Sequence, residues 1–216
     1  MSRILTLTVL LTLICSTSWA RTYYYRSYNS QKVVNEFKSE ILPPKNSQIL
    51  VKWERKIGTK VEKEEYVLDQ DYATLSWVVK IPQDNTDYKG ERIGSKLVIN
   101  GIFKGTPIQK VINIDNAPFL FNPKIGLMGF VKSDKEQLKY WGFRSDSLEV
   151  FKMQAKRKGI EIIEVNGIKT ECYKIWWAPE AFAGIFNRIY WFRTLDGIYV
   201  KQSAEEGVIR ELIKQE

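Results

Sequence analysis

The 216-residue chain contains no histidine. That absence excludes a Ser-His-Asp or Cys-His nucleophile system and any metal site built on imidazole. Cysteine is scarce, with only Cys15 and Cys172. No GxxxxGK[ST] or GxGxxG run occurs, so the usual phosphate-cradling loops of nucleotide chemistry are missing too. The longest apolar stretch, Ile4–Ile14, is eleven residues with three threonines, short of the roughly 20 needed to span a bilayer.

That stretch is instead the centre of an expected leader. Arg3 supplies the positive start, and Ser18 and Ala20 the small side chains of a signal-peptidase cut after Ala20. Residues 1–20 are therefore read as a signal peptide and the protein as exported, to the periplasm of a Gram-negative cell. Cleavage removes Arg3 and no acid, leaving the chain basic from a starting net charge of +8. It also leaves Cys172 as the one thiol, which rules out an internal disulfide. Cys172 sits in an apolar strand pattern, and burial is its expected role.

Hydrophobic 44% and charged 27% are globular proportions. Residues 21–47 read as an N-terminal segment. Arg21–Ser30 is polar and aromatic without a clear period. Val33, Val34, Phe37 and Ile41 then follow at helical spacing behind Ser30, and Pro43-Pro44 stops the run, so a short amphipathic helix is expected there. From Gln48 to the C-terminus the period becomes two, as in Ile49, Val51, Trp53 and in Leu75, Trp77, Val79, Ile81. Residues 82–90 read as a surface loop, with Asp84, Asn85 and Asp87 a weak calcium pattern. Asn100-Gly101 and Lys104-Gly105 compete as turns, while Asn166-Gly167 and Asp196-Gly197 read as two-residue hairpins. Within 115–131, Asn122-Pro123 marks a helix start, and Ile125, Leu127, Met128, Phe130 and Val131 make that helix apolar nearly all round. The fold class expected is mainly β: one strongly curved antiparallel sheet of about eleven strands, a half-barrel over residues 48–216, with two short helices on its concave side.

Such a sheet has little helix to fill its hollow, and ligand pockets are concave and mostly apolar. Trp53, Trp77, Trp177 and Trp191 alternate with aliphatic neighbours and are the expected lining. Leu127, Met128 and Phe130 are the expected plug of the empty state. Glu62, Glu64, Glu65 and Asp69–Asp71 alternate with lysines or lie in turns and read as solvated charge, so no carboxylate pair for acid–base catalysis stands out. A glycan-active enzyme thus ranks below a non-enzymatic protein needing no cofactor or metal. Lys152, Lys156, Arg157 and Lys158 form a basic run suited to an anionic membrane surface rather than to nucleic acid.

Glu164-Val-Asn-Gly-Ile-Lys-Thr-Glu-Cys-Tyr-Lys-Ile-Trp176, the run Arg188-Ile-Tyr-Trp-Phe-Arg-Thr-Leu-Asp-Gly-Ile-Tyr-Val-Lys201, Ile209–Ile213, Asp115–Phe119 and Phe130–Asp134 resemble a pattern of uncharacterised exported bacterial proteins. Those are similar in architecture to the LolA/LolB-like lipoprotein carriers, incomplete barrels with helices in the mouth. The resemblance covers about residues 48–213 and implies fold more than activity. The expectation is a periplasmic carrier for a lipid, acyl chain or lipoprotein anchor; the alternative is a structural or interaction module of the cell envelope with a filled barrel.

Overall fold

The computed structural model describes residues 20–29, 32–181, 186–204 and 207–216. The expected leader, with Cys15, lies outside the described residues, as do the expected cap Ser30 and the side chains of Val33 and Val34.

Among the described residues, fifteen strands form one sheet. They are β1 (Arg21–Asn29), β2 (Lys32–Ile41), β3 (Ile49–Ile57), β4 (Lys60–Leu68), β5 (Thr74–Ile81), β6 (Thr86–Ile93), β7 (Lys96–Phe103) and β8 (Thr106–Asn113), followed by β9 (Phe119–Leu120), β10 (Gln137–Arg144), β11 (Glu149–Val165), β12 (Ile168–Pro179), β13 (Arg188–Arg193), β14 (Tyr199–Ala204) and β15 (Val208–Gln215). A helix, α1 (Pro123–Lys132), separates β9 from β10. The sheet runs from β8 down to β1, crosses to β15, and descends to β9. Every pairing is antiparallel except the short β9–β10 pair. The first and last described strands therefore pair inside the sheet, with Tyr25 of β1 opposite Leu212 of β15.

The sheet rolls onto itself. Trp77 of β5 packs against Phe119 of β9 with ring centroids 5.0 Å apart, although ten strands separate β5 from β9 in the hydrogen-bonded order. Beyond β5 the sheet continues past the seam. Lys104 Nζ donates to the Asp146 carbonyl over 2.9 Å and Lys110 Nζ to that of Leu148 over 2.8 Å, tying β8 and the turn before it to the β10–β11 turn. Inner positions are filled by large rings, with Tyr23, Tyr25, Tyr66, Trp77, Tyr88, Tyr140, Tyr190, Phe192 and Tyr199 all fully buried.

Several expectations change. The helix expected across Val33–Ile41 is β2, hydrogen-bonded on both sides: Phe37 lies opposite Tyr25 and opposite Arg55. Phe37 and Ile41 are four apart, an even number, so they share one face under period two as well as under 3.6. A ten-residue helix gains little alone, and two neighbouring strands decide the matter. Arg21–Asn29 is also strand, with Tyr23, Tyr25 and Ser27 turned inward. The 82–90 loop shrinks to one 3₁₀ turn, Pro82–Asp84, and Asn85 before β6 begins. Asp196-Gly197 is not a two-residue hairpin. Asp196 lies in a wider loop, pairs with Arg193 at 2.6 Å and accepts from the Ile198 N–H at 3.2 Å. These extra strands, with β9, explain fifteen rather than eleven, and one α-helix rather than two.

Other features match the sequence pattern. Asn166 and Gly167, at φ 50° and 77°, close the β11–β12 hairpin with Val165 opposite Ile168. Lys104-Gly105, not Asn100-Gly101, turns β7 into β8. Helix α1 starts where expected: the Asn122 side chain accepts from the Lys124 N–H at 3.1 Å, and Pro123 occupies the first turn. Cys172 is free and buried.

Candidate functional site

Helix α1 lies inside the rolled sheet. Ile125, Leu127, Met128, Phe130 and Val131 are all buried. Two of its glycines permit close contact: a Cβ at Gly129 would stand 2.2 Å from the Asp71 carbonyl, and one at Gly126 would stand 2.8 Å from Leu120. Its C-terminal end is held by Arg157, whose guanidinium donates to the Ser133 carbonyl at 2.7 Å and stacks on Tyr173 at 4.6 Å. A cation there complements the negative end of the helix dipole.

The four tryptophans separate. Trp53 and Trp77 are buried and face inward, Trp53 stacking on Tyr25 at 5.8 Å. Trp177 is half-buried on the inner face beside Tyr190, at 5.7 Å, and its indole N–H donates to the Tyr140 hydroxyl. Trp191 points the other way. Its neighbours Tyr190 and Phe192 are buried, whereas its own indole N–H donates to Glu161 and lies under Lys174 on the outer face. Three of the four thus share the interior with Leu127, Met128 and Phe130, and Trp191 does not. In the basic run, Lys152 pairs with Asp115 at 2.9 Å, Lys156 lies over Trp176, Lys158 is exposed, and Arg157 is withdrawn to the helix end.

A polar pocket of about 570 Å³ opens at the C-terminal end of α1, lined by Lys132, Asp134, Glu136, Arg157 and Asp196 among others. Two smaller pockets flank the helix. One of about 160 Å³ is lined largely by apolar groups, including Tyr23, Ile41, Ile49, Tyr72, Met128 and Ile198. The other, about 220 Å³, lies at the helix N-terminus and is charged. Strand register builds it. On the β3–β4 hairpin the inward column runs Val51 opposite Tyr66, Trp53 opposite Glu64, then Arg55 opposite Glu62. Across the roll, Arg210 of β15 faces Gln202, and Arg188 of β13 faces Trp177. Lys124 enters from the first turn of α1. Arg55 and Glu62 form an ion pair, Arg210 stacks on Phe37 at 3.8 Å, Lys124 lies over Trp53 at 5.7 Å and Arg188 over Trp177 at 5.6 Å.

The electrostatics are unfavourable as they stand. Burial, and then the neighbouring Arg210 and Arg188, hold the Lys124 ammonium well below the usual lysine range. Burial lowers Arg210 as well. Burial, and then repulsion from Glu62, push the Glu64 carboxyl up to about 7, although Tyr66 donates its hydroxyl to it. The side-chain Nε atoms of Arg55 and Arg210 are buried without a hydrogen-bond partner.

No family model matches the chain, and no curated protein matches it in sequence. Its fold has solved counterparts. A beta-barrel-like protein from Brucella abortus, of a domain of unknown function designated DUF1849, overlays with a TM-score of 0.63 at 9% identity, over 92% of this chain and 98% of that one. A Bacteroides fragilis protein with a YmcC-like fold covers 92% of this chain and 96% of its own at 8% identity, with a TM-score of 0.41. The first likeness establishes the fold alone: a curved, barrel-like β-sheet. Among the described residues no helix is long and apolar enough to cross a membrane.

The charged pocket was missed in the sequence. Glu62 and Glu64, read as solvated charge, are buried. The signal was one of phase. Glu64 and Glu62 lie two and four residues from inward Tyr66, Arg55 two from Trp53, Arg188 two from Tyr190, and Arg210 two from Leu212, so each shares the face of a buried neighbour.

Proposed function

We propose that this is a non-catalytic binding protein of the exported compartment that carries an apolar chain, from a lipid or a lipoprotein anchor, and that α1 fills the chain's place when the protein is empty. The observation carrying this reading is the position of Leu127, Met128 and Phe130, buried inside a rolled sheet on a helix with Trp53, Trp77 and Trp177 on the sheet's inner face. The apolar pocket beside α1, about 160 Å³, is smaller than the roughly 300 Å³ at which ligand sites usually begin, and the larger one at the helix's C-terminal end, about 570 Å³, is lined mostly by polar and charged groups. A long apolar chain therefore finds an apolar site of its own size only if α1 moves.

The energies are of matching size. Each buried CH₂ contributes about 0.8 kcal/mol, so a C16 chain gains roughly 12 kcal/mol gross. Exposing five apolar side chains of α1 costs about 1.5–3 kcal/mol each, a comparable total. Net affinity is then a small difference, which permits release. Lys156 and Lys158 supply charge for approach to an anionic membrane surface.

The test is uptake of an uncharged fluorescent alkyl probe by the purified protein, with hydrogen exchange read along α1. Phe130→Ala and Met128→Ala lower stability by about 2–5 kcal/mol each in any packed core. In a plug they also increase probe uptake. Lost stability with no uptake in the wild type or either variant overturns the carrier reading. It would favour a filled structural module of the envelope, the reading that the small size of the apolar pocket supports.

A further inference from the structure

We infer that the charged pocket at the N-terminus of α1 binds a phosphate-type dianionic oxyanion, seated among Lys124, Arg188 and Arg210.

Four basic side chains, Arg55, Lys124, Arg188 and Arg210, line one pocket of about 220 Å³ with only two carboxylates, Glu62 and Glu64. Arg55 is taken by Glu62. Among the described residues no carboxylate closes an ion pair with Lys124 or Arg210. The surplus of basic groups over acidic ones is two, which a dianion neutralises. Like charges gathered in a half-buried site repel, and a folded protein keeps such a cluster at a cost unless something offsets it.

Local rules are broken in the same direction. Lys124 stands in the first turn of α1, where the helix dipole disfavours a cation and favours an anion. The first N–H groups of the helix are already engaged, that of Lys124 by the Asn122 side chain and those of Ile125 and Gly126 by the Asn122 carbonyl. The anion is thus held by side chains and the dipole rather than by free N–H groups. Arg210 lines the pocket and its Nε is buried without a hydrogen-bond partner, an unmet donor that costs free energy. Guanidinium forks suit phosphate oxygens in pairs, and the platforms under them, Phe37 and Trp177, set their planes. The pocket volume equals roughly seven waters, room for a phosphoryl group and its hydration but not for a nucleotide.

The phosphate can be free or the head of a lipid. Calorimetric titration of the full chain with inorganic phosphate, and with dodecyl phosphate, separates the two. Binding of both at similar affinity assigns free phosphate; dodecyl phosphate binding more than ten-fold tighter assigns a lipid head. In either case Arg210→Gln and Arg188→Gln each weaken phosphate binding about ten-fold or more, with the thermal midpoint read as a control. If Arg210→Gln does not fold, Arg188→Gln carries the test. No binding of phosphate by the wild type up to about 10 mM, or binding indifferent to both substitutions, overturns the site. Inorganic phosphate has no chain and the uncharged alkyl probe no anion. Uptake of the probe without phosphate binding refutes this site alone, and the reverse refutes the carrier alone.

Discussion

Asn122 joins α1 to strand β4: its side-chain N–H donates to the Tyr66 hydroxyl at 3.2 Å while its oxygen accepts from the Lys124 N–H at 3.1 Å. Tyr66 in turn donates to Glu64. The helix cap, the strand and the charged pocket are thus one hydrogen-bonded chain. Asn122→Ala is expected to cost about 1–2 kcal/mol in urea unfolding, the value of a helix cap plus a half-buried bond. Asn122→Asp keeps the cap oxygen but cannot donate to Tyr66. It should recover the cap contribution while leaving Tyr66 without its donor, so a loss equal to that of alanine would show that the cap contributes nothing.

Glu64 gives the protein a pH-dependent weakness. Its carboxyl faces Glu62, Arg55, Tyr66 and Lys124, and is pushed up to about 7 by burial first and by Glu62 second. A carboxyl raised in the folded state stabilises fully below its ordinary range near 4.5, and that stability is lost as pH rises through about 7. Glu64→Gln and wild type should therefore differ little at pH 4. At pH 8 the glutamine variant should be the more stable by about 3 kcal/mol. A difference independent of pH would rule this origin out.

The Trp77 indole lies flat on Gly90, where an added Cβ would come within 2.1 Å of the ring. The two face each other across β5 and β6. Gly90→Ala is expected to lower stability by about 3 kcal/mol, the upper range of overpacking. Trp77→Phe should recover part of that loss in the double variant, because the smaller ring leaves room. Simple additivity in the cycle would deny the contact.

Cys172 is the thiol of the folded core, pushed up to about 12 by burial. A disulfide reagent at pH 8 should label it only as the protein unfolds. The labelling rate should follow urea concentration as the unfolding rate does, and rapid modification of the native protein would contradict the burial.

How much could be read beforehand depends on which residues are considered. At Asn122-Pro123 and Asn166-Gly167 the chemistry is local, a cap and a pair of positive φ values, and both were legible. At Val33–Ile41 it was not, because the spacing of four from Phe37 to Ile41 satisfies both periods and the choice belongs to β1 and β3. Glu62 and Glu64 read as surface charge because their burial depends on Arg55 across the hairpin and on Lys124, some sixty residues further along. Trp191 shares its neighbours' composition and differs only in phase, since Lys174 and Lys201 pair beside it on the outer face.

Alternation and turn residues determine by themselves that this chain makes a large antiparallel sheet, and Asn122-Pro123 that an apolar helix starts there. Those are interactions within a few residues, where φ, ψ and side-chain period act directly. Closure is different. That β1 meets β15, that α1 enters the roll, and that four basic side chains from β3, α1, β13 and β15 converge on one pocket are decided only by the tertiary structure. The reason is that burial and charge energies depend on distance in space, and rolling the sheet brings together residues that no spacing along the chain relates.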